Sequence, residues 1–176
     1  MAASCWRPGA DPAILRLRAE LLARIRAFFA TRGVLEVDTP ALSVAAIGDP
    51  HLASFATVYS GPGPRHGRTL YLHTSPEFPM KRLLAAGSGC IYQIARVFRD
   101  GEAGRLHNPE FTLLEWYRVG FDHRRLMDEV AELATELLAG RVSLAEPERL
   151  SYRAAFQHHL DLDPHRVGVA KLAACA

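Results

Sequence analysis

Residues 107–117 read HNPEFTLLEWY, and their pattern says more about the fold than any other part of the sequence. The second part of this stretch is rich in aromatic and aliphatic residues, which predicts a β-strand. Successive side chains of a strand point to opposite faces of a sheet, so one face carries Phe111, Leu113, Glu115 and Tyr117. A carboxylate among apolar neighbours is costly to bury unless a cation pairs with it. Two interpretations of Glu115 are therefore open: a core salt bridge, with Arg96 as the candidate partner, or a pocket for a cationic substrate.

The segments around this strand predict an α+β domain. Asp11 and Pro12 are typical of a helix start, and apolar residues at steps of three and four lead to a helix-ending glycine, Gly33. The arginines outside that apolar stripe are interpreted as a solvated face. Strands are predicted at 34–38, 55–59, 69–73, 90–99 and 111–119, and further helices at 76–86, 122–139 and 152–160. The helix at 122–139 is expected to turn one face inward, with Leu126, Val130, Leu133 and Leu137. This order favours an antiparallel sheet flanked by helices over a βαβ alternation.

Length and composition limit the possible classes of protein. The 176 residues suffice for one compact domain, so a single domain over 1–176 is predicted. A formal charge of +2 is too small to indicate a nucleic-acid partner. Cys5, Cys90 and Cys175 are isolated, which argues against a disulfide framework or a zinc site. No signal peptide and no membrane span is recognisable, so we expect a soluble, cytoplasmic protein.

Thr74-Ser75-Pro76-Glu77 precedes the second predicted helix and also has two interpretations. As a capping box, Thr74 caps the helix and Glu77 reaches back to it. As a binding element, Glu77 offers a carboxylate to a ligand ammonium at the junction of strand and helix. One carboxylate cannot fully serve both partners.

Arg99 ends a predicted strand and is followed by Arg105, His107 and Asn108. Arginine suits a polyphosphate because its planar fork donates two parallel hydrogen bonds and stays charged. Two interpretations of Arg99 are open: a surface residue, as a lone arginine at a strand end usually is, or part of a nucleotide site, which the nearby donors and Phe111 favour.

The histidines of the C-terminal part do not indicate a metal site. His158 and His159 are adjacent in a predicted helix, where their side chains project about 100° apart, and His165 lies further along the chain. We predict no metal ligands in the chain.

Three segments resemble class II aminoacyl-tRNA synthetases of the lysine type. Residues 33–40, GVLEVDTP, follow a long amphipathic helix and resemble motif 1, which is placed at about 12–40. VFR at 97–99 with RLHNPEFTLLEWY at 105–117 resembles motif 2, placed at about 90–118. TSPE at 74–77 with MKRLL at 80–84 resembles the amino-acid loop of that group. The resemblance implies the class II catalytic-domain fold.

Within this group, the chain resembles the stand-alone lysyl-tRNA-synthetase paralogues that attach β-lysine to elongation factor P. Motif 1 begins at residue 33, which leaves no room for the OB-fold anticodon-binding domain that precedes it in lysyl-tRNA synthetases. The LEWY ending and the short N-terminal lead with its tryptophan also resemble this family. Nothing after residue 117 resembles motif 3, so the chain is expected to be the N-terminal portion of a catalytic domain.

The resemblance implies a role for each matched residue. Arg99 is the expected catalytic residue, which holds the α-phosphate of ATP and stabilises the charge that develops there. The expected ATP contacts are Arg99, Asp100, Gly101, Glu102, His107, Asn108 and Phe111, with Phe111 stacked on adenine. The expected amino-acid contacts are Ser75, Pro76, Glu77, Glu115 and Tyr117. The implied ligands and partners are ATP, Mg²⁺ on its phosphates, lysine or β-lysine, elongation factor P as acceptor, and a second copy bound through motif 1.

Motif 2 of the family runs Arg-x-Glu, and this chain departs from that pattern. Gly101 stands where the glutamate is expected, and Glu102 follows one place later. Either the loop shifts to compensate or the affinity for ATP is lower.

Three functions are therefore open. The first is a ligase that activates lysine or β-lysine for elongation factor P. The second is a truncated, inactive synthetase-like protein that binds a partner or dimerises. The third, a lysine–tRNA ligase, ranks last because no tRNA-reading domain or strong basic field is recognisable, so tRNA is not expected as a partner. A half-built sheet is also expected to leave an open edge that favours dimerisation or poor solubility.

Overall fold

The computed structural model describes residues 9–175, so Cys5 and the tryptophan of the N-terminal lead, Trp6, lie outside the described part. The helices are α1 (Pro12–Thr31), α2 (Glu77–Ala85), α3 (His123–Leu138), α4 (Tyr152–Leu160) and α5 (Val169–Ala173). The strands are β1 (Leu35–Glu36), β2 (Leu42–Ser43), β3 (Ala56–Val58), β4 (Thr69–Leu72), β5 (Ile91–Phe98) and β6 (Glu110–Tyr117). The chain divides between Leu133 and Ala134 into two compact units. Among the described helices, none has the length and apolar character needed to cross a membrane.

Two three-stranded sheets organise the first unit. The first has the order β1-β5-β6, and its long pair is antiparallel, from Ile91 opposite Tyr117 to Phe98 opposite Glu110. The predicted α+β class with an antiparallel sheet is confirmed, and β1 adds a short parallel pairing to β5. The second sheet has the order β2-β4-β3 and is antiparallel throughout. Its strand β2 was not predicted, because two residues are too few to show an alternating pattern.

The ends of α1 follow the predicted local chemistry. The Asp11 carboxylate accepts a hydrogen bond from the Ala13 amide at 2.7 Å, and Pro12 occupies the first helical position. Gly33 follows the helix with φ of +65°, in the left-handed region that glycine adopts without a steric cost.

One face of the β1-β5-β6 sheet packs against α1. Phe29 of α1 is completely buried, and its ring stacks on Tyr92 of β5 with the ring centroids 4.4 Å apart. Trp116 of β6, directly opposite Tyr92, lies 5.6 Å from the same phenylalanine ring. The even-numbered residues of β5 and β6 therefore face α1, and the odd-numbered residues point to the opposite side, where the predicted site lies.

Two exposed arginines of α1 also contact the strands of the sheet. The Arg18 guanidinium donates to the Thr112 hydroxyl of β6 at 2.6 Å, and Arg26 pairs with Glu36 of β1 at 3.1 Å. Both side chains are exposed, in agreement with the predicted solvated face, and their long stems also reach the sheet.

The inward face of α3 differs from the predicted one. Leu133 is buried as expected, but Val130 is 46% exposed and Glu129 is 4% exposed in its place. The Glu129 carboxylate accepts a hydrogen bond from the Trp116 indole at 3.0 Å and lies 3.1 Å from Arg118 Nε. Glu129, paired with Arg118, is thus buried on the face of α3 where the apolar pattern predicted Val130.

Candidate functional site

The segment between β4 and α2 crosses the end of β5 and joins the two parts of the site. The His73 amide donates to the Ala41 carbonyl, and the His73 carbonyl accepts from the Phe98 amide at 3.0 Å. The next carbonyl, that of Thr74, accepts a hydrogen bond from Arg99 Nε at 3.3 Å. Backbone bonds therefore fix residues 73–74 beside the end of β5, and Thr74 in turn orients Arg99.

The capping box predicted for Thr74 and Glu77 is wrong. Helix α2 begins at Glu77, and it is the Ser75 hydroxyl that accepts from the Glu77 amide, at 3.0 Å. The Thr74 hydroxyl is buried and has no hydrogen-bond partner within the described chain. The Glu77 carboxylate pairs with Lys81 one turn along α2 and does not reach back to Thr74. Ser75 is therefore the side chain that binds a backbone amide at the start of α2.

Glu115 lies at the centre of a hydrogen-bond network on the odd-numbered face of β6. One carboxylate oxygen accepts from the Ser75 hydroxyl at 2.8 Å, and the other accepts from the Tyr117 hydroxyl at 2.7 Å. Both donors are neutral, and no ion pair to Glu115 occurs among the described residues. A half-buried carboxylate with its charge unbalanced is suited to receive an ammonium group.

The salt bridge between Glu115 and Arg96 does not form. Arg96 is an even-numbered residue of β5, and its guanidinium lies 3.3 Å from the Glu110 carboxylate, on the side of the sheet away from Glu115. Since side chains alternate along each strand, the two residues point to opposite faces.

Tyr117 has a strongly raised pKa, which keeps its hydroxyl protonated. Burial is the largest cause, followed by the hydrogen bond to Glu115 and the negative charges of Glu115 and Glu77. The effect of Glu77 indicates that both carboxylates act on the same region. Pro76, which was also predicted to contact the amino acid, is almost completely buried.

A second part of the site is a cavity of about 380 Å³ beside Arg99. Its lining consists of Arg99, Glu102, Leu106, His107, Asn108 and Phe111. The Arg99 guanidinium carbon lies 5.1 Å from the centre of the Phe111 ring. A cation, an aromatic ring and donor groups around one cavity suit a nucleotide with its phosphates.

The structure brings five of the seven residues predicted to contact ATP together around this cavity. Leu106 was missed by sequence reasoning, because a lone exposed leucine in a polar loop carries no functional signal. Asp100 and Gly101 are absent from the lining. The Asp100 amide instead donates to the Ala53 carbonyl at 2.9 Å, which anchors the loop.

Gly101, which stands where motif 2 of the family has a glutamate, has an unusual backbone conformation. Gly101 has φ of +82°, a conformation in which any residue with a Cβ is strained. The chain turns there, and the next residue, Glu102, lines the cavity with its carboxylate 3.6 Å from Arg99 Nη1. This geometry favours compensation by a shifted loop over the loss of the acidic group.

No metal site is built from the protein alone in the part of the chain that the structure describes. Groups of three or more His, Cys, Asp or Glu side chains in position to hold an ion do not occur there. His158 and His159 have their ring centroids 4.7 Å apart at an angle of 89°.

Comparisons with known proteins cover almost the whole chain. Residues 6–172 match the sequence profile of the family described as tRNA synthetases class II (D, K and N). The elongation factor P–(R)-β-lysine ligase of Vibrio vulnificus is 56% identical over 171 residues, which are 97% of this chain and 52% of that protein. The ligase of the same name from Yersinia enterocolitica is 56% identical over 167 residues, covering 95% of this chain and 50% of the relative. The chain thus spans about half the length of the curated relatives it matches.

Proposed function

The chain belongs to the class II tRNA synthetase family that comprises the aspartate, lysine and asparagine types, and from that premise we propose a specific reaction. The protein activates lysine or β-lysine with ATP as an aminoacyl-adenylate and transfers it to a lysine of elongation factor P. The chain contributes the N-terminal portion of the catalytic domain, with motifs 1 and 2. The names of the similar Vibrio and Yersinia proteins support the choice of acceptor.

The observation that carries the proposal is that one short segment, Thr74-Ser75, contacts two recognition elements: Glu115 for an amino acid and Arg99 for a phosphate. Ser75 holds Glu115, an acceptor for an ammonium group, and the preceding Thr74 carbonyl holds Arg99, a donor for a phosphate. An amino acid bound to the first element therefore lies next to a nucleotide bound to the second. Adjacent binding of two reactants lowers the entropic barrier to their reaction.

The proposed chemistry has two steps. A carboxylate oxygen of the amino acid attacks the α-phosphorus of ATP, and pyrophosphate leaves. The ε-amine of the acceptor lysine then attacks the carbonyl carbon of the adenylate, and AMP leaves. Arg99 stabilises the negative charge that develops on the α-phosphate, and Glu115 holds a substrate ammonium group. Glu77 binds a second ammonium group by exchanging its ion pair with Lys81 for the substrate.

Each remaining contact has a role in this scheme. Phe111 stacks on the adenine, and His107, Asn108 and Glu102 bound the nucleotide cavity. The cavity offers one carboxylate, that of Glu102, which suits a Mg²⁺ ion held mainly by phosphate oxygens, as is usual for this ion. When bound, the ion neutralises phosphate charge.

ATP–pyrophosphate exchange with lysine and with β-lysine tests the first step. We expect exchange in the protein and a loss of about 100-fold or more in Arg99→Ala, because the charged contact to the transferred phosphate disappears. Arg96→Ala is the matched control, since Arg96 is nearby but pairs with Glu110 on the other face.

The amino-acid site is tested in the same assay. Glu115→Gln removes the charge that receives the ammonium, and a lost charged hydrogen bond of about 1.5–3 kcal/mol raises the KM for the amino acid by about 10- to 100-fold. Glu110→Gln is its control, and it leaves the KM unchanged. Absence of exchange in a folded wild-type chain contradicts the proposed activity.

A non-catalytic function is the second candidate, and the edge of the sheet favours it. In the described part of the chain β6 is paired with β5 on one side only, which leaves the other edge of an eight-residue strand for association. Dimerisation or poor solubility of the isolated chain is expected, and a monodisperse monomer in sedimentation contradicts this. A lysine–tRNA ligase stays the least favoured function, and it requires aminoacylation of tRNA to exceed modification of the protein acceptor.

A further inference from the structure

A third surface adjoins the two recognition elements, because Thr74 and Ser75 are part of its lining. It is a groove of about 840 Å³, within the size range of ligand-binding clefts. Its walls are mostly apolar, and large side chains are exposed there: Leu42 is 47%, Val44 is 59% and Phe78 is 53% accessible. An apolar surface of this kind that is left exposed commonly marks an interaction site.

The charges around the groove have one sign. No aspartate or glutamate lines it, whereas Arg65 and Arg82 do. Both arginines are exposed, and neither guanidinium forms a hydrogen bond or ion pair with another described residue. The groove therefore suits an occupant that combines apolar side chains with a carboxylate, the group that arginine binds through two parallel hydrogen bonds.

Two participants of the proposed reaction do not fit this surface. Lysine and β-lysine are cationic, so the arginines repel them, and Glu115 already offers them an acceptor. The nucleotide has its own cavity at Arg99. The acceptor protein is the participant left without a binding surface.

The position of the groove also suits the acceptor. Ser75 lines it and at the same time donates to Glu115, so one end of the groove opens beside the amino-acid site. A polypeptide segment in the groove brings a neighbouring lysine close to the adenylate.

We infer that this groove docks the segment of the acceptor protein next to its modified lysine, through apolar side chains and at least one aspartate or glutamate. The inference rests on the proposed function, from which it takes the acceptor. RNA fits less well, because binding along a phosphate backbone calls for a row of cations, whereas the walls here are largely apolar.

The test measures binding of elongation factor P to the chain in the absence of ATP, by isothermal titration calorimetry. Reversing both charges in Arg65→Glu/Arg82→Glu replaces attraction by repulsion, and we expect the Kd to rise about tenfold or more. Arg68→Glu is the matched control, because Arg68 belongs to the same β3–β4 hairpin but does not line the groove, and it changes the Kd less than about twofold. Val44→Asp places a negative charge on the apolar wall and is expected to weaken binding similarly.

Three outcomes overturn the inference. One is a Kd that the double variant leaves unchanged. Another is a loss of self-association in the double variant without an effect on elongation factor P, which assigns the groove to a second copy. The third is a selective loss of tRNA binding, which assigns it to RNA.

Pyrophosphate exchange separates this inference from the proposed function. The double variant is expected to retain wild-type exchange, since neither arginine is among the expected contacts of the nucleotide or the amino acid and neither lines the cavity at Arg99. Binding that depends on the groove in a chain without exchange supports the docking surface and contradicts the chemistry. Exchange with unaltered binding in the double variant contradicts the docking surface alone.

Discussion

Replacing Glu129 by leucine tests whether the interior ion pair anchors the sheet. The Glu129 side chain is 5% exposed and the Arg118 side chain 11% exposed, so the variant leaves a guanidinium without its partner in a poorly hydrated place. The Trp116 indole also loses its acceptor at 3.0 Å. Breaking one partner of a buried pair costs about 3–5 kcal/mol, and leucine fills much of the glutamate volume, so we expect a loss of about 3–4 kcal/mol in the free energy of unfolding.

Urea unfolding monitored by tryptophan fluorescence measures this loss, since Trp116 contacts the altered carboxylate. Glu129→Leu/Arg118→Met is expected to recover most of the stability, because an apolar pair of similar volume often replaces a buried ion pair without loss. Glu132→Leu on the same helix is the control, since its pair with Arg32 is largely exposed and contributes less than about 1 kcal/mol. The reasoning is refuted if Glu129→Leu costs under about 1 kcal/mol or if the double variant loses the sum of the single losses.

Three further predictions concern stability. Burial and the hydrogen bond to Glu36 raise the pKa of Tyr92 to about 12, so the folded state retains this proton more strongly than the unfolded state. The free energy of unfolding is therefore expected to fall as the pH rises from about 10 to 12. Urea titrations at a series of pH values should show a smaller fall in Tyr92→Phe. Gly33→Ala is expected to lower the free energy of unfolding by about 1 kcal/mol, because Gly33 has φ of +65°. Gly48→Ala is expected to be nearly neutral, since Gly48 has open space around it and no positive φ. Equal midpoints of thermal unfolding in the two variants contradict this prediction. Asp11→Ala removes the cap of α1 and is expected to cost about 1 kcal/mol, while Asp11→Asn retains most of it in the same assay.

The sequence predicted those parts of the fold that depend on neighbouring residues. Asp11, Pro12 and Gly33 define α1 through backbone chemistry that acts within one turn, and the helix at Tyr152–Leu160 has the predicted bounds. The alternation in β6 correctly placed Glu115 and Tyr117 on one face. Local propensity and side-chain period are sufficient for such features.

Features that depend on distant segments were missed or assigned wrongly. Thr74 and Ser75 are equally good capping residues in sequence, and only the position of β6, forty residues later, gives Ser75 a second partner in Glu115. Glu129 interrupts an apolar pattern that favoured Val130, because its burial depends on Arg118 and Trp116 together. The groove beside Ser75 is built from several separate stretches of the chain between residues 40 and 82, none of which is distinctive alone.

The hydrogen bonds of Thr74 and Ser75 have a consequence for specificity. Thr74 and Ser75 are adjacent, so under the proposed function a displacement that improves the fit of one substrate also moves the group that holds the other. The affinities of the two proposed substrates are then thermodynamically linked, so each is expected to change the affinity of the other by the same factor. A change of amino-acid preference by substitution at Ser75 thus carries a penalty in nucleotide affinity, and an altered specificity needs compensating changes around Arg99.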